Sequence, residues 1–367
     1  KQKGGVPMRH SLQVALLLLL TASGVRATTY LVRADGSGDY ATIQDAIDAA
    51  QDGDVVQLGE GTFRGPGNVD LDYGGRAITV ESQSQSPEGC IIDCEGSPVD
   101  PHRGVAFVSG EGIDSVFRGI TVRRGWTEAV LIEDSGGAIL AIDASPSLEN
   151  CIFEACSARW GGGVWILGGA TPIIDRCIFR FNEARTNGPG LYCDHLSAPT
   201  VRSSTFYENT TPGKGGAIVA NEAFPIVSNC TMVDNHVLHA GGALWTLNDA
   251  LPVFENCLIA FNSGPGSVVC DNGSMVLTCC DIFGNGGGDW VGCIADQYGI
   301  DGNISADPLL CDRHSRDYSL APSSPCAPFQ PPNGECDLIG AWPADCGAVP
   351  IRPVSWGEVK VLFRERE

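Results

Sequence analysis

The chain has 367 residues, a formal net charge of −21 and 16 cysteines, with 47 glycines and 22 prolines but only 7% aromatic residues. Many turn-forming residues and few long amphipathic stretches exclude a helical bundle. The negative charge excludes nucleic acid as the main partner, because phosphate backbones would be repelled. The composition therefore favours an all-β protein with many short strands.

The N-terminus is typical of a secretion signal. Met8 is the expected start, after an upstream extension of residues 1–7, and an apolar run covers residues 14–20. Residues 25–27 (Val-Arg-Ala) have the small–x–small pattern of a cleavage site. The apolar run is much shorter than the roughly 20 residues of a membrane span. The sequence thus predicts a signal peptide over residues 1–27, a secreted or cell-surface mature chain, and no transmembrane segment within it.

A short helix is predicted before the first repeats. Within residues 41–50, the apolar residues Ile43, Ala46, Ile47 and Ala50 fall on one helical face. Short apolar runs then predict early strands at residues 55–58, 77–80, 90–94, 104–108 and 116–122. A helix in this place would cover the open end of the first coil, as repeat arrays require.

From residue 146 onward the sequence repeats every 23–27 residues. A small residue occupies one column of six successive repeats, which consists of Cys151, Cys177, Ser204, Cys230, Cys257 and Cys280. A large apolar residue follows two positions later, in the column Phe153, Phe179, Phe206, Met232, Ile259 and Ile282. The residue between them varies, and this alternation predicts a strand with one buried face. A period in the twenties without a leucine ladder predicts one β-solenoid coil per repeat.

Two further features of the repeat concern polar side chains. Asparagines stand three residues after the large apolar column, at Asn182, Asn209, Asn235, Asn262 and Asn285. We expect a turn there, in which Asn adopts a left-handed conformation and bonds its stacked neighbours. The cysteine column is expected to hold buried thiols, because neighbouring coils ~4.8 Å apart exceed the ~3.8 Å Cβ separation that a disulfide prefers. Disulfides between coils and a metal ladder are the alternatives.

These motifs carry two resemblances. Residues 35–50 (Asp-Gly-Ser-Gly-Asp-Tyr-Ala-Thr-Ile-Gln-Asp-Ala-Ile-Asp-Ala-Ala) resemble the N-terminal motif of pectin methylesterases and other pectin-lyase-like proteins. The Gly-Gly-Ala-Ile/Leu segments at residues 136–139, 215–218 and 241–244, with Phe-x-x-Asn at 179–182 and 206–209, are similar to the repeats of polymorphic outer-membrane proteins. Both resemblances imply a right-handed parallel β-helix, which we predict for residues 28–310.

The resemblance to pectin methylesterases does not extend to their catalytic residues. Those enzymes use two aspartates, within Gln-Asp and Asp-Phe-Ile-Phe-Gly segments. Residues 281–284 (Asp-Ile-Phe-Gly) look like a fragment of the second segment, but the repeat already explains them and places Asp281 in the variable, outward position. No catalytic residue is therefore assigned.

The candidate binding residues follow the Gly-Gly turns. Alternation places Trp165, Tyr192 and Trp245 outward in successive coils, where they would form an exposed, partly aromatic stripe. A line of basic residues and one further aromatic precedes them, consisting of Arg159, Trp160, Arg185, Lys214 and His239. Aromatic rings beside cations suit the binding of an acidic polysaccharide. The alternative is that loops cover the aromatic residues.

Enzymatic alternatives need other groups. A polysaccharide lyase needs a base near a carboxylated sugar, commonly with Ca²⁺, and the pair Asp194–His195 beside Arg185 and Lys214 is the best such grouping. A hydrolase needs two facing carboxylates. Three acidic residues share one loop, namely Glu128, Glu133 and Asp134. A solvated acidic surface explains both sets more simply. No metal site and no cofactor are predicted, Ca²⁺ being involved only if the protein is a lyase.

The C-terminal part differs from the repeats. Cys311, Cys326, Cys336 and Cys346 lie in a turn-rich stretch, and we predict two disulfides of open pairing within a cap over residues 311–349. Residues 350–367 form a tail with apolar residues at helical spacing, at Trp356, Val359, Leu362 and Phe363. This tail is expected to dock on the last coil or to act as a sorting or attachment signal.

Taken as a whole, the sequence predicts a secreted or cell-surface β-helix that is not catalytic and that binds glycans or acts as an adhesion module. A lyase or glycoside hydrolase acting on an acidic polysaccharide is the first alternative. A structural repeat protein of the cell envelope is the second.

Overall fold

Three parallel β-sheets wind into a right-handed helix of about ten coils, in a computed structural model that describes residues 27–127 and 135–346. Each complete coil contributes one strand to sheet A, then one to sheet B, then one to sheet C. The fold predicted from the repeat period is therefore confirmed. The predicted signal peptide, the acidic loop residues 128, 133 and 134, and the tail 350–367 lie outside the described residues, apart from Ala27.

The strands are short, as expected when a chain turns three times per coil. Sheet A comprises Thr29–Val32, Val55–Leu58, Thr79–Ser82, Val116–Arg118, Ser147–Glu149, Ile173–Asp175, Thr200–Arg202, Ile226–Ser228, Val253–Glu255 and Val276–Thr278. Sheet B comprises Gly61–Phe63, Cys90–Asp93, Thr121–Arg123, Ile152–Glu154, Ile178–Arg180, Thr205–Tyr207, Thr231–Val233, Leu258–Ala260 and Asp281–Phe283. Sheet C comprises Leu71–Asp72, Val105–Phe107, Ile139–Ile142, Val164–Leu167, Leu191–Asp194, Ile218–Asn221, Leu244–Leu247 and Val268–Asp271.

A fourth, smaller sheet lies between sheets B and C in the middle coils. This sheet D comprises Ser157–Trp160, Glu183–Asn187, Thr210–Thr211 and His236–Val237. The remaining elements are the helix Ile43–Ala49, the 3₁₀ helices Gly292–Gln297 and Arg313–Ser315, and an antiparallel hairpin of Leu310–Asp312 and Asp317–Leu320. Among the described residues, no helix combines the length and apolar character that crossing a membrane requires.

The interior is built from stacked columns, as the repeat predicted. Phe179 pairs in register with Phe206, and Phe206 with Met232, and all three side chains are fully buried. The rings of Phe179 and Phe206 stack with their centroids 4.3 Å apart. The five column cysteines at 151, 177, 230, 257 and 280 are free, buried thiols, as expected.

The asparagine column forms a continuous ladder of hydrogen bonds. Asn209 donates its side-chain amide to Oδ1 of Asn235 at 2.9 Å, and Asn235 donates to Oδ1 of Asn262 at 2.9 Å. Bonding between stacked neighbours is thus confirmed. The left-handed residue, however, is the one before each asparagine, for example Asp234 with φ 55° and Phe261 with φ 58°. The preceding residue makes the turn, and this leaves the asparagine side chain directed into the core.

The predicted N-terminal helix is confirmed and covers the first coil. Thr42 caps it by accepting a hydrogen bond from the backbone N–H of Asp45 at 3.2 Å. Ile43, Ala46 and Ile47 are buried in the main core. The opposite end is closed by the 3₁₀ helix, in which Ile294 is fully buried.

The cysteine-rich segment follows a different path from that of an end cap. Residues 304–346 lie along the outer face of sheet B, where Tyr318 and Ile339 share one apolar cluster with the outward residues Ile178 and Leu258. The ring centroid of Tyr318 lies 5.2 Å from that of the outward residue Tyr207. Outward positions of sheet B are consequently buried. This arrangement follows from the apolar character of these outward residues, which a covering segment removes from water.

Three disulfides are present, and they differ in part from the expectation. Cys311 pairs with Cys346, as one of the open pairings allowed. Cys336 pairs with Cys279 at a corner of the repeat, and Cys270 pairs with Cys293 near the last coil. The prediction for Cys326 is wrong: it is a buried free thiol, because its Sγ lies 3.1 Å from a carboxylate oxygen of Asp281 and away from the other sulfurs.

Candidate functional site

The aromatic column stacks as predicted but is buried. Trp165 pairs with Tyr192, Tyr192 with Val219 and Val219 with Trp245 in successive strands of sheet C. The side chains of Trp165, Tyr192 and Trp245 are only 2%, 5% and 9% exposed, so the predicted exposed stripe is not observed. They form a second apolar cluster on the outer face of this sheet.

Glycine turns explain how the chain covers these rings. A Cβ on Gly188 would lie 2.9 Å from the ring of Tyr192, and a Cβ on Gly215 would lie 2.3 Å from the side chain of Val219. Both glycines also have positive φ, at 64° and 70°. Only a residue without a side chain lets the backbone cross the rings so closely. Loops therefore cover the aromatic column, which is the alternative interpretation given from the sequence.

The basic residues, in contrast, do form a line at the surface. Arg159 and Arg185 lie in neighbouring strands of sheet D, and Lys214 and His239 follow at the same edge in the next two coils, because Asn187 pairs with Lys214 and Lys214 with Ala240. We call Arg159, Arg185, Lys214 and His239 the cationic edge. Neighbouring coils place the backbones of these residues roughly 5 Å apart along the helix axis. The guanidinium of Arg185 reaches back to the carbonyl of Thr127, and the ammonium of Lys214 reaches forward to Asp271.

Each of the first three cations lies over an aromatic ring. The guanidinium of Arg159 is 4.3 Å from the ring centroid of Trp160, that of Arg185 is 4.6 Å from Trp126, and the ammonium of Lys214 is 4.9 Å from Trp245. Such contacts hold long basic side chains in place without neutralising their charge. The aromatic residues thus support the cations and are not themselves an exposed platform.

Three members of the cationic edge surround one shallow depression. Arg185, Lys214, His239 and Trp245 line it, and its volume is about 350 Å³. Trp245 donates its indole N–H to Oδ2 of Asp271 at 2.9 Å, and the ammonium of Lys214 forms an ion pair with the same oxygen. The hydrogen bond from Lys214 lowers the pKa of Asp271 below its usual value, and Trp245 adds to this effect.

The carboxylate of Asp271 is therefore bound by two donors, the ammonium of Lys214 and the indole N–H of Trp245, which suit any carboxylate. Its side chain is 46% exposed, so the ion pair with Lys214 is open to water. An ion pair of this kind contributes little to stability and can exchange partners. No sequence pattern marks Asp271 or Trp126, because their contacts with Lys214 and Arg185 join residues 57 and 59 positions apart with no shared column.

The groups proposed for a lyase are not brought together. Asp194 ends a strand of sheet C, whereas Arg185 precedes the start of that strand and Lys214 the start of the next one, at the other end of these strands. Asp194 is buried and accepts hydrogen bonds from His195 Nδ1 at 2.8 Å and from Asn221 at 2.7 Å. Burial is the largest influence on its carboxyl and raises its pKa. The hydrogen bonds of Asp194 and His195 are therefore those of a turn that follows the strand.

Asp281 does not face solvent, although the repeat places it outward. The cysteine-rich segment covers it completely, and its oxygens accept hydrogen bonds from Cys326 Sγ and, at 3.0 Å, from the backbone N–H of Ala306. Burial raises the pKa of this carboxyl to about 7. No substrate reaches it in this arrangement. Within residues 27–127 and 135–346, no three His, Cys, Asp or Glu side chains are grouped closely enough to hold a metal ion.

The chain belongs to the family described as the right handed beta helix region, whose sequence profile matches residues 91–251 and 136–304. A comparison with curated proteins found no match.

Several solved structures are similar to this chain. Pectin methylesterase from carrot has 13% sequence identity and a TM-score of 0.39, over 78% of this chain and 91% of that one. Pectin methylesterase from Aspergillus niger has 14% identity and a TM-score of 0.42, over 70% of this chain and 87% of that one. An alginate lyase of family PL6 has 11% identity and a TM-score of 0.30, over 90% of this chain and 58% of that one.

Proposed function

We propose that the protein is an extracellular, non-catalytic β-helix protein that binds an acidic polysaccharide along the cationic edge. The observation that carries this proposal is the alignment of Arg159, Arg185, Lys214 and His239 over four successive coils of a chain whose net charge is −21. A row of basic residues on a strongly acidic chain attracts a linear polyanion and orients it along the helix axis.

The depression supports a carboxylate ligand in particular. Asp271 receives a charge-assisted hydrogen bond from Lys214 and a second bond from the indole N–H of Trp245. A ligand carboxylate satisfies the same two donors once Asp271 has swung towards solvent. Export of the protein is supported by three disulfides, since these persist in oxidising compartments.

A non-catalytic role is favoured over lyase or hydrolase chemistry by the placement of the candidate groups. The amine of Lys214 is engaged in an ion pair with Asp271. Asp194 and His195 lie at the opposite end of the strands of sheet C from Lys214. Incubating the protein with polygalacturonate and alginate should release neither unsaturated nor reducing ends; release of either would favour an enzyme.

Binding is tested with Lys214→Met and Arg185→Met. We expect each substitution to weaken binding of polygalacturonate by about tenfold, equivalent to one lost charge-assisted contact. Affinity for the unchanged protein should fall as salt rises, because exposed charges are screened. The measurement is calorimetric titration at two ionic strengths.

The matched control is Arg202→Met. Arg202 is also a basic residue in an ion pair, 3.0 Å from Asp175, but it lies on the outer face of sheet A. Its substitution should leave the affinity unchanged. An equal loss in the control and the test variants would show that binding depends on overall charge and not on the cationic edge.

A further inference from the structure

The outer face of sheet A is apolar and open to solvent in its last three coils. Ile226, Val253 and Val276 each begin a strand there, point outward and pair in register with one another. Phe224 and Leu251 stand two residues before the first two of them, and all five side chains are exposed. We call these five residues the A face. Contiguous exposed apolar residues mark an interaction surface, whereas scattered ones do not.

The third residue of each sheet A strand also points outward, and this second column carries charges. In the earlier coils, every acidic residue of the column forms an ion pair with a basic residue of a neighbouring coil. Arg118 bonds Glu81 at 3.3 Å and Glu149 at 3.0 Å, and Arg202 bonds Asp175 at 3.0 Å. The acidic residues of these coils are thus paired within the chain.

Glu255 departs from this arrangement. Its side chain is exposed, and its neighbours in the column are the uncharged Ser228 and Thr278. In the part of the chain that the structure describes, no basic side chain forms an ion pair with it. The nearest cation of the column is Arg202, two coils or about 10 Å away. The guanidinium of Arg202 uses its Nε for Asp175 and has about four further N–H donors.

We infer that the A face binds the A face of a second copy of this chain, in a dimer with a twofold axis. The axis runs parallel to the strands and passes through the strand Ile226–Ser228. It keeps the strand direction and reverses the order of the coils, so each residue meets the residue equally far from the axis in the second copy. Ile226 then faces Ile226 of the second copy, and Glu255 faces Arg202 of the second copy. This inference does not rest on the proposed function.

The distribution of charges selects this geometry among the twofold arrangements of the face. An axis parallel to the helix axis would place the apolar column of one copy against the charged column of the other. An axis parallel to the strands but one coil away would bring Arg202 opposite Arg202, or Glu255 opposite Glu255, and like charges in contact repel each other. With the axis at Ile226–Ser228, the unpaired carboxylate of each copy meets a cation, and the apolar columns meet each other.

The area of this face predicts a weak dimer. Five coils, from Ile173–Asp175 to Val276–Thr278, are roughly 24 Å high, and the stretch of residues 224–228 is roughly 16 Å long. The face thus covers about 400 Å² per copy, half of the roughly 800 Å² per partner of a standard interface. Association should therefore depend on concentration, and on the two ion pairs as well as on apolar contact.

Dimer formation leaves the cationic edge accessible. That edge follows sheet D and the adjoining ends of the strands of sheet C, whereas the A face lies on sheet A, a different side of the β-helix. The affinity of each copy for a polysaccharide should therefore be the same in monomer and dimer. Failure of the dimer can thus be distinguished from failure of polysaccharide binding.

The first test is sedimentation equilibrium of the full chain between about 1 μM and 1 mM, a range that suits an interface of this size. The unchanged protein should convert from monomer to dimer within this range. Ile226→Asp places two carboxylates against each other on the axis and should weaken association by at least about tenfold. Ile300→Asp is the matched control and should have no effect, because Ile300 has the same exposure as Ile226, 53%, but lies beyond the last coil.

The second test exchanges the charges. Glu255→Arg and Arg202→Glu each place like charges opposite one another at both ends of the interface, so each variant alone should remain monomeric. An equal mixture of the two variants restores both ion pairs and should associate within about threefold of the unchanged protein.

Four results would each overturn the proposal. They are an unchanged protein that is monomeric at every concentration, association that is insensitive to Ile226→Asp, an equal loss with Ile300→Asp, and a mixture that associates no more tightly than either charge variant alone. Recovery in the mixture also shows that both charge variants are folded.

Discussion

At the scale of single residues, the environment of a side chain depends on what covers its coil. Asp281 lies in the variable column of the repeat, where Ile178 and Thr205 stand in earlier coils. The cysteine-rich segment buries it, and burial raises the pKa of its carboxyl to about 7. The same burial raises the pKa of the Cys326 thiol that contacts it.

This carboxyl makes stability dependent on pH. Its pKa is about 7 in the folded protein and about 3.9 in the unfolded chain. The folded state therefore retains the proton more strongly, and its stabilisation is complete below about pH 4 and lost as pH rises to about 7. We expect Asp281→Asn to remove up to about 1.4 kcal/mol per pH unit of this dependence.

The measurement is the free energy of unfolding by urea at several pH values between 4 and 8. Asp249→Asn is a suitable control, because Asp249 is exposed and lies in a turn. Identical pH profiles for the unchanged protein and Asp281→Asn would contradict the assignment.

At the scale of elements, the asparagine ladder joins successive coils at the corner that follows each strand of sheet B. Oδ1 of Asn235 accepts hydrogen bonds from the backbone N–H of Asn209 at 3.2 Å and from its amide at 2.9 Å. The amide of Asn235 donates to the carbonyl of Phe206 at 2.9 Å and to Asn262. All four bonds are buried, so each group depends on its neighbours for satisfaction.

Asn235→Asp tests the ladder with almost no change in volume. The carboxylate keeps the acceptor but loses both donors and buries a charge, so we expect a loss of roughly 3 kcal/mol or more in the free energy of unfolding. Asn272→Asp is the matched control: Asn272 is exposed, and its φ of 57° suits aspartate. Thermal unfolding of both variants decides the matter, and equal shifts in Tm would argue against a special role for the ladder.

At the scale of the whole molecule, the C-terminal segment is a separate layer attached to the β-helix. It is held by the disulfide Cys279–Cys336 and by ion pairs of Arg316 with Glu208 and of Arg313 with Asp234. Its apolar residues complete a cluster with the outer face of sheet B. These attachments are therefore what couples the unfolding of the C-terminal layer to the unfolding of the β-helix.

Removing the disulfide should release the layer while leaving the coils folded. Cys279 and Cys336 are 57 residues apart, and a cross-link over a loop of this length contributes about 4 kcal/mol in the chain-entropy model. In the double variant Cys279→Ser/Cys336→Ser, amide hydrogen exchange at Gly340 and Ala341 should accelerate strongly. Exchange at the ladder amide of Asn209 should stay slow; equal acceleration there would mean that the layer and the coils unfold together.

Much of the fold was predictable because each coil repeats one local pattern. The column of Phe179, Phe206 and Met232, the buried thiols and the first-coil helix all follow from spacing and side-chain type. The candidate site was predictable only in part. The cationic edge follows from the same register, but the burial of Trp165 and the ion pair of Lys214 with Asp271 do not, because the turns that cover the outer faces follow no regular period.

The sequence by itself determined the register of the coils and the contents of the interior, since a strand with one apolar face has one way to stack on its copies. The tertiary structure decided which outward residues meet water. Those positions are covered by segments distant in the chain, as when Arg316 reaches Glu208 over 108 residues. Local pattern carries no information about such contacts, because their partners are chosen by the path of the chain after the coils have formed.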